Sequence, residues 1–206
     1  MAEGFSPRQS LLNKVISQVG RLEIYEDVEV ECMHELTGDL LELHMPSLYH
    51  LRIESDAPQV DDGLPLWIKS TNMPVLRVLT LMNVNAIILT PLTSLTNFTY
   101  TPCSPELWQL WSTRLVRLPN IQHISLSPHD IFYTMRGEQR PIILSSLVSL
   151  ELRQLGGAVE DVQQFLDFAS LPNLRSLTLV RPAKHCYGDV LPCLVSPLQP
   201  ICSFHS

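Results

Sequence analysis

The chain has no cysteine framework, no long apolar run and no surplus of basic charge, and each shortage removes a class of protein. Its five cysteines, at 32, 103, 186, 193 and 202, are an odd number scattered through 206 residues. That excludes a small disulfide-stapled scaffold and reads as reduced thiols of the cytosol or nucleus. The opening stretch MAEGFSPRQSLLNKVISQVG is broken by Asn13, Lys14, Ser17 and Gln18, so it lacks the apolar core of a secretory signal. The nearest thing to a membrane span, NAIILTPL, is cut by Pro91 and is far too short to cross a bilayer. The sequence thus reads as soluble and intracellular. Lysine and arginine number 14 against 21 aspartates and glutamates, a formal charge of −7. Such a balance disfavours nonspecific attraction to nucleic acid or to an anionic membrane.

Chemical motifs are missing as well. Gly156-Gly157 is an isolated pair that reads as a turn, not a phosphate cradle. His34 and Glu35 lack the second histidine that a zinc protease helix requires. The group His185, Cys186, Cys193, Cys202 and His205 matches no paired Cys-x-x-Cys zinc spacing. Cys103, His123 and Asp130 could in principle form a protease triad, but no signature surrounds them. These absences point to a protein that is not an enzyme and holds no cofactor and no metal. What remains is 45% hydrophobic and 17% charged, enough apolar material for a buried core.

That material is periodic. An apolar residue, two free positions, a second apolar residue, one free position and a third recur in seven places. They are VGRLEI, LYHLRI, LRVLTL, LTNFTY, IQHISL, LVSLEL and LRSLTL, starting at residues 19, 48, 76, 95, 121, 147 and 174. The intervals of 29, 28, 19, 26, 26 and 27 residues fit a long repeat with one short unit. Alternation places the second and third apolar residues of each phrase on one face of a strand. The phrases MPSL, MPVL, LPNI and LPNL, and the looser TPLTSL, introduce five of the strands; proline fixes φ and suits a turn that leads into a strand. LPCL at 191–194 repeats this phrase and opens a degenerate eighth unit.

Between the strands the chain should return along the other side. AVEDVQQFLDFAS (158–170) sets Val162, Phe165, Leu166 and Ala169 on one helical face. PELWQLWSTRL (105–115) does the same with Leu107, Trp108, Trp111 and Leu115. Trp67, Trp108 and Trp111 read as core residues of apolar connectors. SDAPQVDDGLPLWIKSTN carries too many breakers for a helix and reads as loops and short turns. Residues 7–18 read as a helix that covers the first repeat.

With LPNLRSLTL and LVSLEL the chain resembles leucine-rich-repeat proteins with long repeats, and its irregular spacing and L-P-x-L phrases look most like the repeat region of fungal F-box-type proteins. The resemblance covers roughly residues 16–182. It implies an α/β fold, an irregular solenoid with parallel strands on the concave face and helices and loops on the convex face. The organisation expected is an N-terminal capping helix (1–18), about seven repeats (19–182) and a Pro/Cys-containing tail or degenerate last repeat (183–206). Such repeats usually carry Asn or Cys three residues after the last strand leucine, tying successive turns together. Here those positions hold Asp27, Asp56, Val84, Cys103, His129, Leu155 and Pro182. Only Cys103 fits, so no regular side-chain ladder is expected. Nothing near the N-terminus reads as the Leu-Pro-x-Glu opening of an F-box.

The resemblance also implies where a partner sits, against the concave strands. In the repeat register that strip holds Arg21, Glu23, Tyr25, His50, Arg52, Glu54, Val78, Thr80, Met82, Asn97, Thr99, Thr101, His123, Ser125, Ser127, Ser149, Glu151, Arg153, Ser176, Thr178 and Val180. Its three arginines and three glutamates cancel, whereas a nucleic-acid face would be a basic stripe. A protein partner fits, and Tyr25, His50, Arg52 and Arg153 are its candidate contacts, since tyrosine and arginine are enriched at binding hot spots. The function expected is protein recognition, with substrate recognition for a cullin-type ubiquitin ligase, and hence a cullin-ligase adaptor, as the specific form. The alternatives are a hydrolase on a mixed α/β fold, which would need a pocket of converging titratable groups, and a truncated product without independent function, suggested by the tail's lack of charge after Asp189.

Overall fold

A computed structural model describes residues 14–26, 33–56, 66–84, 86–101, 115, 118–126, 142–153, 166, 169–180 and 202–205. All seven phrases become strands of one parallel sheet. They are β1 (Arg21–Glu26), β2 (His50–Ser55), β4 (Val78–Met82), β6 (Asn97–Thr101), β7 (His123–Leu126), β9 (Ser149–Leu152) and β11 (Ser176–Val180). β12 (Cys202–His205) pairs with β11, giving eight strands in the order β1-β2-β4-β6-β7-β9-β11-β12. Neighbours in sequence are neighbours in space and every pairing is parallel, so the chain winds as a β-solenoid. The eighth strand lies beyond LPCL, a phrase that falls outside the described residues.

Each of the seven phrase strands is introduced by one four-residue turn. The N–H of its fourth residue donates to the carbonyl of its first in Ile16–Val19, Met45–Leu48, Met73–Leu76, Leu92–Leu95, Leu118–Ile121, Leu144–Leu147 and Leu171–Leu174, at 3.1–3.2 Å throughout. Proline occupies the second position in four of these turns, where its fixed φ is already correct. Apolar ends turn inward. From Met45 to Leu147 every first and fourth turn residue is 0–3% exposed. Immediately before each strand, one carbonyl accepts from two successive N–H groups of the next unit. Gly20 bonds Tyr49 and His50, Tyr49 bonds Arg77 and Val78, and the step continues through Arg77, Thr96, Gln122 and Val148. These shared acceptors fix the register of each strand against the last.

The core is four stacked columns of apolar side chains. Two come from the turn ends and two from the inward strand positions, such as Leu51/Ile53, Leu79/Leu81, Ile124/Leu126 and Leu150/Leu152. The shortest repeat is followed by the strand with the bulkiest inward residues. Phe98 and Tyr100 are 1% exposed, with ring centroids 5.9 Å apart. Phe98 is thus the core residue that its repeat position predicts.

A side-chain ladder exists after all, displaced to the lead-in turn. The third turn residue donates to the carbonyl of the second residue in the preceding turn: Ser94 Oγ to Pro74 O (2.7 Å), Asn120 Nδ2 to Thr93 O (2.7 Å), Ser146 Oγ to Pro119 O (2.8 Å) and Asn173 Nδ2 to Ser145 O (2.6 Å). Val84, at the ladder position expected from the family pattern, is instead fully buried. Its neighbour Asn83, the one non-glycine residue with positive φ among those described (55°), does tie turns. Its Nδ2 donates to Ser55 O and its N–H to Thr101 O. Among the described residues the first two turn junctions lack a rung. At the second of them the third position is Val75, which has nothing to donate.

The return side carries short strands besides the helices and loops expected there. Among the described residues it holds helix α1 (Met33–Leu41), helical residues Leu115 and Leu166, and two short parallel pairs, β3 (Leu66–Ile68) with β5 (Ala86–Ile88) and β8 (Ile142–Ile143) with β10 (Ala169–Ser170). In the segment read as a helix over 158–170, Leu166 is helical, but Ala169 and Ser170 at its end form a strand. Both precede a lead-in turn, as β8 does, and Ser170 O accepts from Leu144 N–H, so pairing across repeats wins over local periodicity. Leu66–Ile68 lies in the connector read as loops, and alternation turns Trp67 outward at 40% exposed, not into the core. Of the expected helix over 105–115 only Leu115 is described, helical and 1% exposed; the tryptophans at 108 and 111 fall outside the described residues. Of the capping segment, residues 14–16 are helical. α1 buries Thr37 and Leu41, one turn apart on the same face. Its terminal carbonyl at Leu41, one of the orphans of any helix end, accepts from Asn72 Nδ2 at 2.9 Å, and Glu42 beyond it pairs with Lys69 Nζ at 2.7 Å.

Val75→Asn supplies the missing donor opposite Pro46 and should stabilise the chain by about 0.5–1 kcal/mol, while Asn120→Ala and Asn173→Ala should each lose a similar amount. Urea unfolding midpoints check this. Unchanged midpoints in all three variants would show that the rungs add no net stability.

Candidate functional site

The outward side chains of the large sheet fall into three rows. The first runs Arg21, His50, Val78, Asn97, His123, Ser149 and Ser176. The second runs Glu23, Arg52, Thr80, Thr99, Ser125, Glu151 and Thr178. The third includes Tyr25, Glu54, Met82 and Thr101. The strip read from the repeat register is therefore one continuous surface as far as it is described; Ser127 falls outside the described residues.

Charges on this surface neutralise one another within single strands. Residues two apart share a face, at about 6.6 Å along the strand, a gap that an arginine bridges. Arg21 pairs with Glu23 on β1. On β2 Arg52 pairs with Glu54, its Nε 3.0 Å from Oε2. Beside β9, Arg153 Nε lies 2.7 Å from Glu151 Oε1. The bond from Arg21 holds the Glu23 carboxyl below its ordinary pKa, and the attraction of Arg21, the Tyr25 hydroxyl and Arg52 act in the same direction. The bond to Glu54 raises Arg52 further above its already high value. These are exposed or half-exposed pairs, so their worth lies in ordering the side chains more than in stability.

Three of the four candidate contacts converge. Tyr25 is 54% exposed, and its hydroxyl donates to Glu23 Oε2 at 3.2 Å. The Arg52 guanidinium stands over its ring, 5.7 Å from the centroid, a cation–π arrangement. His50 shares β2 with Arg52 and the first row with Arg21. Arg153 does not join them. Four strand spacings separate β9 from β2, or about 19 Å. Between the two charged ends lies an uncharged stretch built from Val78, Thr80, Met82, Asn97, Thr99, Thr101 and Ser125.

Sequence reasoning placed Ser125 in the strip but missed its burial. It lies in the middle row but is only 8% exposed, and among the described residues its hydroxyl has no hydrogen-bond partner. Nothing in the repeat pattern distinguishes it from its half-buried row-mates. His123, once considered for a triad, is exposed at the sheet surface; Cys103 and Asp130 fall outside the described residues. Among the described residues there is no group of three or more histidine, cysteine, aspartate or glutamate side chains placed to hold a metal ion, and no helix long and apolar enough to cross a membrane. Of the tail group, Cys202 and His205 lie on β12; His185, Cys186 and Cys193 fall outside the described residues.

Burial lowers the His50 pKa, and the neighbouring Arg21 and Arg52 lower it further against the opposing pull of Glu23. A histidine held below its unfolded value resists protonation in the folded state. Its contribution is thus intact above about pH 6.5 and is lost as pH falls below that. Wild type should lose stability more steeply than His50→Gln between about pH 7 and pH 5; parallel unfolding curves across that range would refute the shift. Ser125→Ala removes a buried hydroxyl without a hydrogen-bond partner among the described residues, so stability should stay level or rise by up to about 1 kcal/mol. A clear loss would reveal a bond to Ser125.

Comparison with protein-family profiles, curated proteins and solved structures finds no match to this chain.

Proposed function

We propose that the chain is the recognition part of a leucine-rich-repeat protein, with the large sheet as a concave face that receives a protein partner. One observation carries the reading: seven successive strands align their outward residues in rows, and the charges among them are already paired and ordered. A surface prepared in this way loses little side-chain freedom on binding. Its Tyr25–Arg52 cluster has the composition of a hot spot. The uncharged centre suits contacts made by hydrogen bonds and modest apolar burial. The more specific form of the reading, substrate recognition for a cullin-type ubiquitin ligase, rests on the resemblance of the repeats alone.

The test is capture of partners from a cell lysate by the tagged chain, compared with Tyr25→Ala, Arg52→Ala and, on the opposite side, Ile143→Ala. A protein retained by wild type and Ile143→Ala, but reduced about tenfold or more by either face variant, supports the reading. Recovery of a cullin-ligase adaptor supports its specific form. Equal recovery by all four chains overturns the assignment of the face.

A further inference from the structure

The charge pairs of β2 and β9 run in opposite order on the two sides of β6. On β2 the arginine comes first, Arg52 before Glu54; beside β9 the glutamate comes first, Glu151 before Arg153. The register places Arg52 and Glu151 in one row, with Thr80, Thr99 and Ser125 between them. β2 and β9 each stand two strands from β6. A two-fold axis parallel to the strands and passing over β6 therefore lays β2 of one copy on β9 of another. Arg52 then faces Glu151 of the second copy, and Glu54 faces its Arg153. Symmetry repeats both contacts, giving four opposite-charge pairs and no like-charge pair. The same axis lays β4 on β7, where no carboxylate or guanidinium stands on either described face, and β1 on β11, with exposed Tyr25 opposite Val180.

A two-fold interface requires a self-complementary patch, in which each residue meets its counterpart's partner. A surface adapted to an unrelated protein has no need of this reversal. We propose that a second copy of this chain docks on the large sheet, face to face, through this two-fold axis. The proposal rests on the reading of that sheet as a protein-binding surface and names its occupant. Seven strands span about 29 Å and five residues about 17 Å, so each copy covers at most about 500 Å², below the ~800 Å² per partner of a standard interface. The dimer is consequently weak and concentration-dependent, and its ion pairs set register more than affinity.

Swapping whole pairs tests this while keeping each intrastrand ion pair. Arg52→Glu with Glu54→Arg reverses β2; Glu151→Arg with Arg153→Glu reverses β9. Sedimentation of the full chain from about 1 to about 500 µM should show a monomer–dimer equilibrium for wild type. Either double swap should weaken it about tenfold or more, because four facing pairs become repulsive. The quadruple variant should restore it, and the two double-swap chains should associate with each other when mixed. A wild-type chain that stays monomeric across this range overturns the proposal, as does a dimer indifferent to the swaps. Neither result touches the capture of a different protein by this face, which the lysate comparison decides separately.

Discussion

The fold depends on a four-residue turn whose two ends are buried and whose two middle residues face water. Its internal hydrogen bond reverses the chain at the same point in every unit. Its apolar ends anchor it to the core, and the strand that follows begins at a fixed offset from it. The shared carbonyl before each strand then locks that offset to the previous unit. Everything outward of the sheet, including which side chains become row-mates, follows from this arrangement. A solenoid of this kind has no contacts between distant units to correct a slip, so the accuracy of each step has to come from its immediate neighbour.

Much of this was legible in the sequence. The seven phrases located the seven strands because a period of two survives in even a five-residue strand, and prolines marked four of the turns. The ladder was missed because the family pattern directs attention to a position after the strand, here filled by buried Val84. The residues that tie the units precede the strand and are ordinary serines and asparagines between two apolar residues. The short return strands could not be read either. Leu66–Ile68 and Ala169–Ser170 are too brief for periodicity to declare them, and they exist through pairing with equally brief segments in an adjacent unit. α1 escaped notice because Thr37, Gly38 and Asp39 interrupt its apolar pattern, and its inward face relies on a threonine.

The outward face was legible in composition and register, but only partly in physics. That Tyr25 and Arg52 meet follows from adjacent strands in register. That Arg153 stands apart follows equally from the strand order. The strand-by-strand pairing of charges could have been drawn from spacing alone, since alternation places residues two apart on one side. The enclosure of the Ser125 hydroxyl could not, because its burial comes from neighbours that repeat arithmetic does not describe.

The repeat intervals vary from 19 to 29 residues, yet no strand is displaced by even one position against its neighbour. In a helical bundle one inserted residue rotates everything beyond it by about 100°. In this chain an insertion in a connector is absorbed before the next turn begins. The back of the molecule can therefore lengthen, shorten or change its secondary structure over evolutionary time while the front keeps its spacing. Variation on one side and constancy on the other are decoupled by the geometry itself.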